Sequence, residues 1–169
     1  MTRTTVWRTL GTAIGVLGLA VAVGGAVPAG VSTRPASSGT VHLQLLSTTG
    51  NTNGAGVIAY GAFTGAGKET DISNSTSRFT FPNGSFLIRH SNGTGTQHFN
   101  PTTCLLSIDR HGTYQISHGT GAYAGISGHG GYQLNVLAIA SRNASGACSK
   151  KKRPAAAQLI LRASGPVRL

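Results

Sequence analysis

The sequence predicts an all-β fold, an eight-stranded antiparallel up-and-down β-barrel over residues 41–169. Three observations carry that expectation. Past residue 40 no 3.6-residue apolar period lasts much beyond one turn, which argues against helices. Short runs of β-branched, aliphatic and aromatic residues recur instead, separated by Gly and Asn turns. Eight such runs fit the length, and closure would remove the exposed strand edges that template aggregation. A β-sandwich of the same strands is the alternative architecture.

Each run has its own justification. Val41–Ser47 is the first. Gly56–Ala66 is a Gly-broken run that ends in a loop around Lys68, and Glu69 and Asp71 fall in that loop. Ser77–Phe81 and Ser85–His90 flank Pro82-Asn83-Gly84, a hairpin signal. Thr103–Arg110 and Thr113–Ser117 flank His111-Gly112. Gly131–Ala140 places Tyr132, Leu134, Val136 and Ala138 on one face, as a period of two requires. Ala155–Arg162 is the last. Leu105-Leu106 and Val136-Leu137 put apolar groups on both faces, which points to an outer face covered in part by another subunit.

The N-terminus reads as an address. Residues 1–8 hold two arginines and no acid, Leu10–Ala26 is apolar, and Val27-Pro28-Ala29 supplies small residues. That order is a secretory signal peptide over 1–29, cleaved after Ala29. Residues 30–40 then form a flexible leader. The alternative is an uncleaved membrane anchor, weakened by its glycines and Pro28. The mature chain keeps twelve basic residues against three acids, a formal charge of +9.

In an exported protein the lone pair Cys104 and Cys148 is most simply a disulfide; free thiols are the alternative. Lys150, Lys151, Lys152 and Arg153 form the single charge run, either a solvated loop tip or a contact for an envelope polyanion. No nucleic-acid signature accompanies it, so nucleic acid is not an expected partner.

Gly112–Tyr132, reading GTYQISHGTGAYAGISGHGGY, resembles the GTGxYxGxxGxGxY signature of the allene oxide cyclase and dirigent barrel superfamily. The closest likeness is to its small secreted actinobacterial members. Arg78–Ser85 is similar to their RFxFPxG hairpin, and Leu161–Pro166 to their closing strand. The resemblance implies an eight-stranded barrel, trimeric in plant relatives, that binds an oxidised fatty acid or a phenolic intermediate. No pocket residue of that family carries over. On physical grounds Gly119, Gly121 and Gly125 would allow positive φ or close approach, and Tyr123 and Tyr132 would plug barrel ends.

Familiar chemical motifs fail on spacing. Gly119-x-Gly121 continues as GxGxxxG with no following helix, so a dinucleotide fingerprint is excluded. Gly125-Ile-Ser127-Gly128-His129 lacks the closing glycine of a nucleophile elbow. The six histidines form no metal-ligand spacing, so neither a metal site nor a cofactor is expected. Asp109, between Ile108 and Arg110, would need Arg89 or Arg78 as partner if it faced inward; otherwise it is a surface acid paired to a neighbouring strand.

Three functions follow as expectations. The first is a secreted barrel that binds a small apolar or aromatic ligand, with Asp109, Arg89, His90, Tyr114 and Tyr132 at the site. The second is a cofactor-free isomerase, dirigent-like or cyclase-like, with Asp109 and Arg89 or His90 as polar actors. The third is an envelope interaction protein using the basic loop.

Overall fold

The computed structural model describes residues 37–149 and 151–169. The signal peptide, most of the leader and Lys150 lie outside the described residues. Nine strands follow in order: β1 (Ser38–Ser47), β2 (Gly56–Gly61), β3 (Gly65–Ser73), β4 (Thr76–Phe81), β5 (Gly84–His90), β6 (Thr94–Asn100), β7 (Leu105–Ser117), β8 (Ser127–Ile139) and β9 (Ala156–Arg168). Each pairs antiparallel with its chain neighbour from β1 to β5, and from β6 to β9. Two further pairings, β1 with β9 and β5 with β7, close the sheet. The sandwich alternative is thereby excluded.

Nine strands make eight staves. β5 and β6 lie end to end along β7, with His90 opposite Tyr114 and Thr94 opposite His111. Residues 91–93 therefore oppose only residues 112–113, which is a β-bulge. The Ser91 hydroxyl accepts from the Thr113 amide at 2.9 Å and the Ser91 amide donates to the Thr113 carbonyl at 2.9 Å, so the ladder is stitched across the bulge.

The expected count of eight conceals compensating differences. Gly56–Ala66 divides, because the chain turns at residues 62–64 and sends Phe63 over the barrel end. His111-Gly112 is no turn. Both residues pair across to β8, and β7 runs through unbroken. β6 escaped the sequence reading because TGTQHFN has almost no apolar alternation. β3 continues to Ser73, so Glu69 and Asp71 lie on a strand and not in a loop.

Alternation along the strands fills the barrel. Val41, Leu43, Leu45, Val57, Phe79, Phe81, Phe86, Ile88, Tyr114 and Ile116 are all buried. One end is sealed by rings. Phe63 stands 6.0 Å from Phe81, 5.9 Å from Phe86 and 5.0 Å from Tyr123, which the short 3-10 turn Gly121–Tyr123 delivers. Full burial of each such side chain is worth roughly 1.5–3 kcal/mol. Gly121 and Gly125 take φ of 60° and 85°, as the turn into β8 requires.

Tyr114 pairs with Gly130 and Tyr132 with Gly112, across β7 and β8. A Cβ at Gly130 would lie 2.8 Å from the Tyr114 ring, and one at Gly112 would lie 2.7 Å from the Tyr132 ring. Each glycine clears the space that its tyrosine occupies. Cys104 and Cys148 are joined, with Cα atoms 5.4 Å apart. No helix among the described residues is long and apolar enough to cross a membrane. Leu105, Leu137 and Ile139 stand 37–49% exposed on the outer face, which matches the two-faced apolar pattern of the sequence.

Candidate functional site

The barrel is not filled. Away from the aromatic seal lies a cavity of about 180 Å³. For scale, an apolar cavity of about 150 Å³ takes up benzene. Its walls are apolar: Leu43 and Leu45 of β1, Phe79 of β4, Ile88 of β5, Leu134 of β8, and Leu161 and Ala163 of β9. Polar groups enter from Thr52, Glu69, Ser77, His90, Tyr114 and Tyr132. Thr52, His90, Tyr132, Leu134 and Leu161 are half-buried, which marks where the cavity nears solvent.

Glu69 is the decisive residue. The inward positions of β3 are Gly65, Gly67 and Glu69, and Glu69 is 1% exposed. Neither carboxylate oxygen has a hydrogen-bond partner, and neither has the buried Tyr114 hydroxyl. A charge left in that state is costly, so burial favours the protonated carboxyl. Burial pushes its carboxyl up to about 7; the nearby Ser77 hydroxyl opposes the shift and the Asp71 carboxylate adds to it. Asp71, two residues on at the rim, accepts from the Ser77 hydroxyl at 3.3 Å and the Thr52 hydroxyl at 3.5 Å. Burial likewise raises the Tyr114 phenol above its ordinary range.

The bulge after β5 builds the opposite wall. Tyr132 donates its hydroxyl to the Ser91 carbonyl at 3.0 Å, and His90 Nδ1 lies 3.3 Å from the same oxygen. The two rings meet edge to face at 6.3 Å. One backbone carbonyl thus orients both side chains.

Of the five ligand-site residues expected from sequence, the structure brings His90, Tyr114 and Tyr132 together at the cavity. Asp109 and Arg89 are elsewhere. Asp109 has the opposite parity to Tyr114 on β7 and faces outward, half-buried. Its carboxylate accepts from Asn135 Nδ2 at 2.5 Å and Gln133 Nε2 at 3.4 Å, both on the adjacent strand. No arginine is needed there, because two amides do the work. Arg89 alternates with buried Ile88 and is exposed, on an outer groove with His118, His129 and Arg168. Lys151, Lys152 and Arg153 are exposed in the segment before β9. The Ser141 hydroxyl donates to the Arg153 carbonyl at 2.7 Å and fixes that segment's base.

Comparison with family models, with curated proteins and with solved structures gives no match. The site is therefore interpreted from its own residues.

Sequence reasoning missed Glu69. The signal was present as parity: carrying the alternation of Gly65 and Gly67 two residues further puts Glu69 inside. Ending the strand at Ala66 hid it.

Proposed function

We propose that this chain is an exported binding protein that holds one small apolar or aromatic molecule inside its barrel. The observation that carries this is the pair of unpartnered polar groups, Glu69 and Tyr114, in a largely apolar cavity. Native interiors seldom leave such atoms unsatisfied. A ligand with one polar end would satisfy them, while Leu43, Phe79, Ile88 and Leu161 hold its apolar part. The disulfide and the apolar stretch at residues 10–26 support export. The likeness of Gly112–Tyr132 to the allene oxide cyclase and dirigent barrels supports the same architecture, here argued as kinship of fold.

A second reading has an observation of its own. A buried carboxyl pushed up to about 7 in the same cavity as a phenol is suited to proton transfer, so a cofactor-free isomerase would use Glu69 where the sequence pointed to Asp109.

Methyl-resolved NMR with toluene as the probe tests the binding reading. Toluene is expected to shift the methyls of Leu43, Leu45, Ile88 and Leu161. Ala163→Phe, which fills the cavity, should abolish those shifts in a folded protein. Shifts confined to outer-face methyls would refute the reading.

A further inference from the structure

The cavity acid stands apart in a chain of this charge. Fourteen lysines and arginines accompany only three acids, yet Glu69 is buried with both oxygens unpartnered. Strand parity explains how the cations are kept away. Lys68 precedes Glu69 and Arg78 follows Ser77, but both are exposed on the outward positions of β3 and β4. Arg89 beyond Ile88 is exposed in the same way. A second acid, Asp71, sits at the rim and is bonded to Ser77 and Thr52, two cavity-lining residues. Two of the three acids are therefore gathered at one cavity.

A carboxylate only accepts hydrogen bonds, and it has about four lone-pair positions. An alcohol offers it one donor. A protonated primary amine offers three, and neutralises the charge as well. The rings of Phe79, Tyr114 and Tyr132 line the same space and attract a cation. We infer that the barrel takes a small lipophilic primary amine, with its ammonium group on Glu69 and its hydrocarbon part against Leu43, Leu45, Ile88 and Leu161. The inference rests on the cavity's being a ligand site and names the ligand's polar end.

Calorimetry at pH 8 with three probes of equal size tests it: ethylbenzene, benzyl alcohol and benzylamine. Benzylamine is expected to bind roughly tenfold or more tightly than the other two, as hydrogen bonds to charged groups allow. In Glu69→Gln the preference for benzylamine over benzyl alcohol should vanish, with a cooperative thermal transition showing that the variant is folded. Wild-type pH dependence gives a check that needs no variant. Glu69 shares the cavity with Ser77 from β4, His90 from β5, Tyr114 from β7 and Tyr132 from β8, with Asp71 at the rim on its own strand. Of these, Glu69 must ionise to receive the amine. Benzylamine affinity should therefore fall as pH drops below about 7, and ethylbenzene affinity should not. Equal binding of benzylamine and benzyl alcohol would overturn the amine inference and leave the cavity reading standing. Failure of all three probes would overturn both.

Discussion

Replacing Glu69 by Gln should change the pH dependence of stability in a specific direction. In the folded barrel the Glu69 carboxyl is pushed up to about 7, from an ordinary value of 4.5, chiefly by burial. The unfolded chain therefore releases this proton first as pH rises. Between pH 4.5 and 7 the unfolded state binds fewer protons than the folded one, so stability falls as pH rises through that window. Each unit is worth about 1.4 kcal/mol, and the window spans about 3 kcal/mol. Above pH 7 the loss is complete, and below pH 4.5 it is absent. For a domain of this size that loss corresponds to roughly 10 °C in Tm. Urea unfolding of wild type and Glu69→Gln at pH 4, 5.5, 7 and 8.5 measures it. Titrating groups other than Asp71, whose carboxylate interacts with Glu69, are common to both proteins and cancel in the difference. The variant should gain about 3 kcal/mol on wild type between pH 4 and 8.5. A pH-independent difference would refute the reasoning, because it would mean that Glu69 finds a partner or water.

Three other outcomes follow from the packing and the loops. Gly130→Ala should cost about 2 kcal/mol, because its Cβ would strike the Ser164 carbonyl and the Tyr114 ring. Gly131→Ala, one residue on and facing outward with 3.7 Å of clearance, should stay within about 0.5 kcal/mol; comparing the two by chemical denaturation isolates the crowding. Removing the Cys104–Cys148 bridge, which closes a separation of 44 residues, should cost about 4 kcal/mol on the chain-entropy account, read from the shift in denaturation midpoint. Changing Lys150, Lys151, Lys152 and Arg153 to Ser should reduce retention on a polyanionic resin at low salt and leave Tm within about 2 °C, since Lys151, Lys152 and Arg153 are exposed and such charges contribute little to folding.

The barrel itself was legible because closure and alternation leave marks in sequence. Tyr132, Leu134, Val136 and Ala138 share a face in the sequence and in β8 alike. The hairpin at Pro82-Asn83 forms where the turn residues put it, with Phe81 opposite Gly84. What failed had no apolar mark. β6 is held by its ladder to β7, and a ladder is invisible in one segment's composition. Gly112 was mistaken for a turn because glycine's two uses, turning and making room, look alike until the Tyr132 opposite it is known. The site was half legible. His90, Tyr114 and Tyr132 were found as aromatic or titratable residues on good strands. Asp109 drew attention as an acid in an apolar strand, but its parity sends it outward to two amides. Glu69 sat in a stretch of Gly, Lys and Thr that read as loop. Its importance arises from burial, which depends on all eight staves.

The barrel interior holds a ligand-sized space lined by Glu69. Crystals of the protein under xenon pressure are the sharpest test. Xenon density is expected between Leu43, Phe79, Ile88 and Leu161, in a cavity otherwise free of side chains. A barrel whose side chains meet across that space, with xenon only on the outer face, would contradict it.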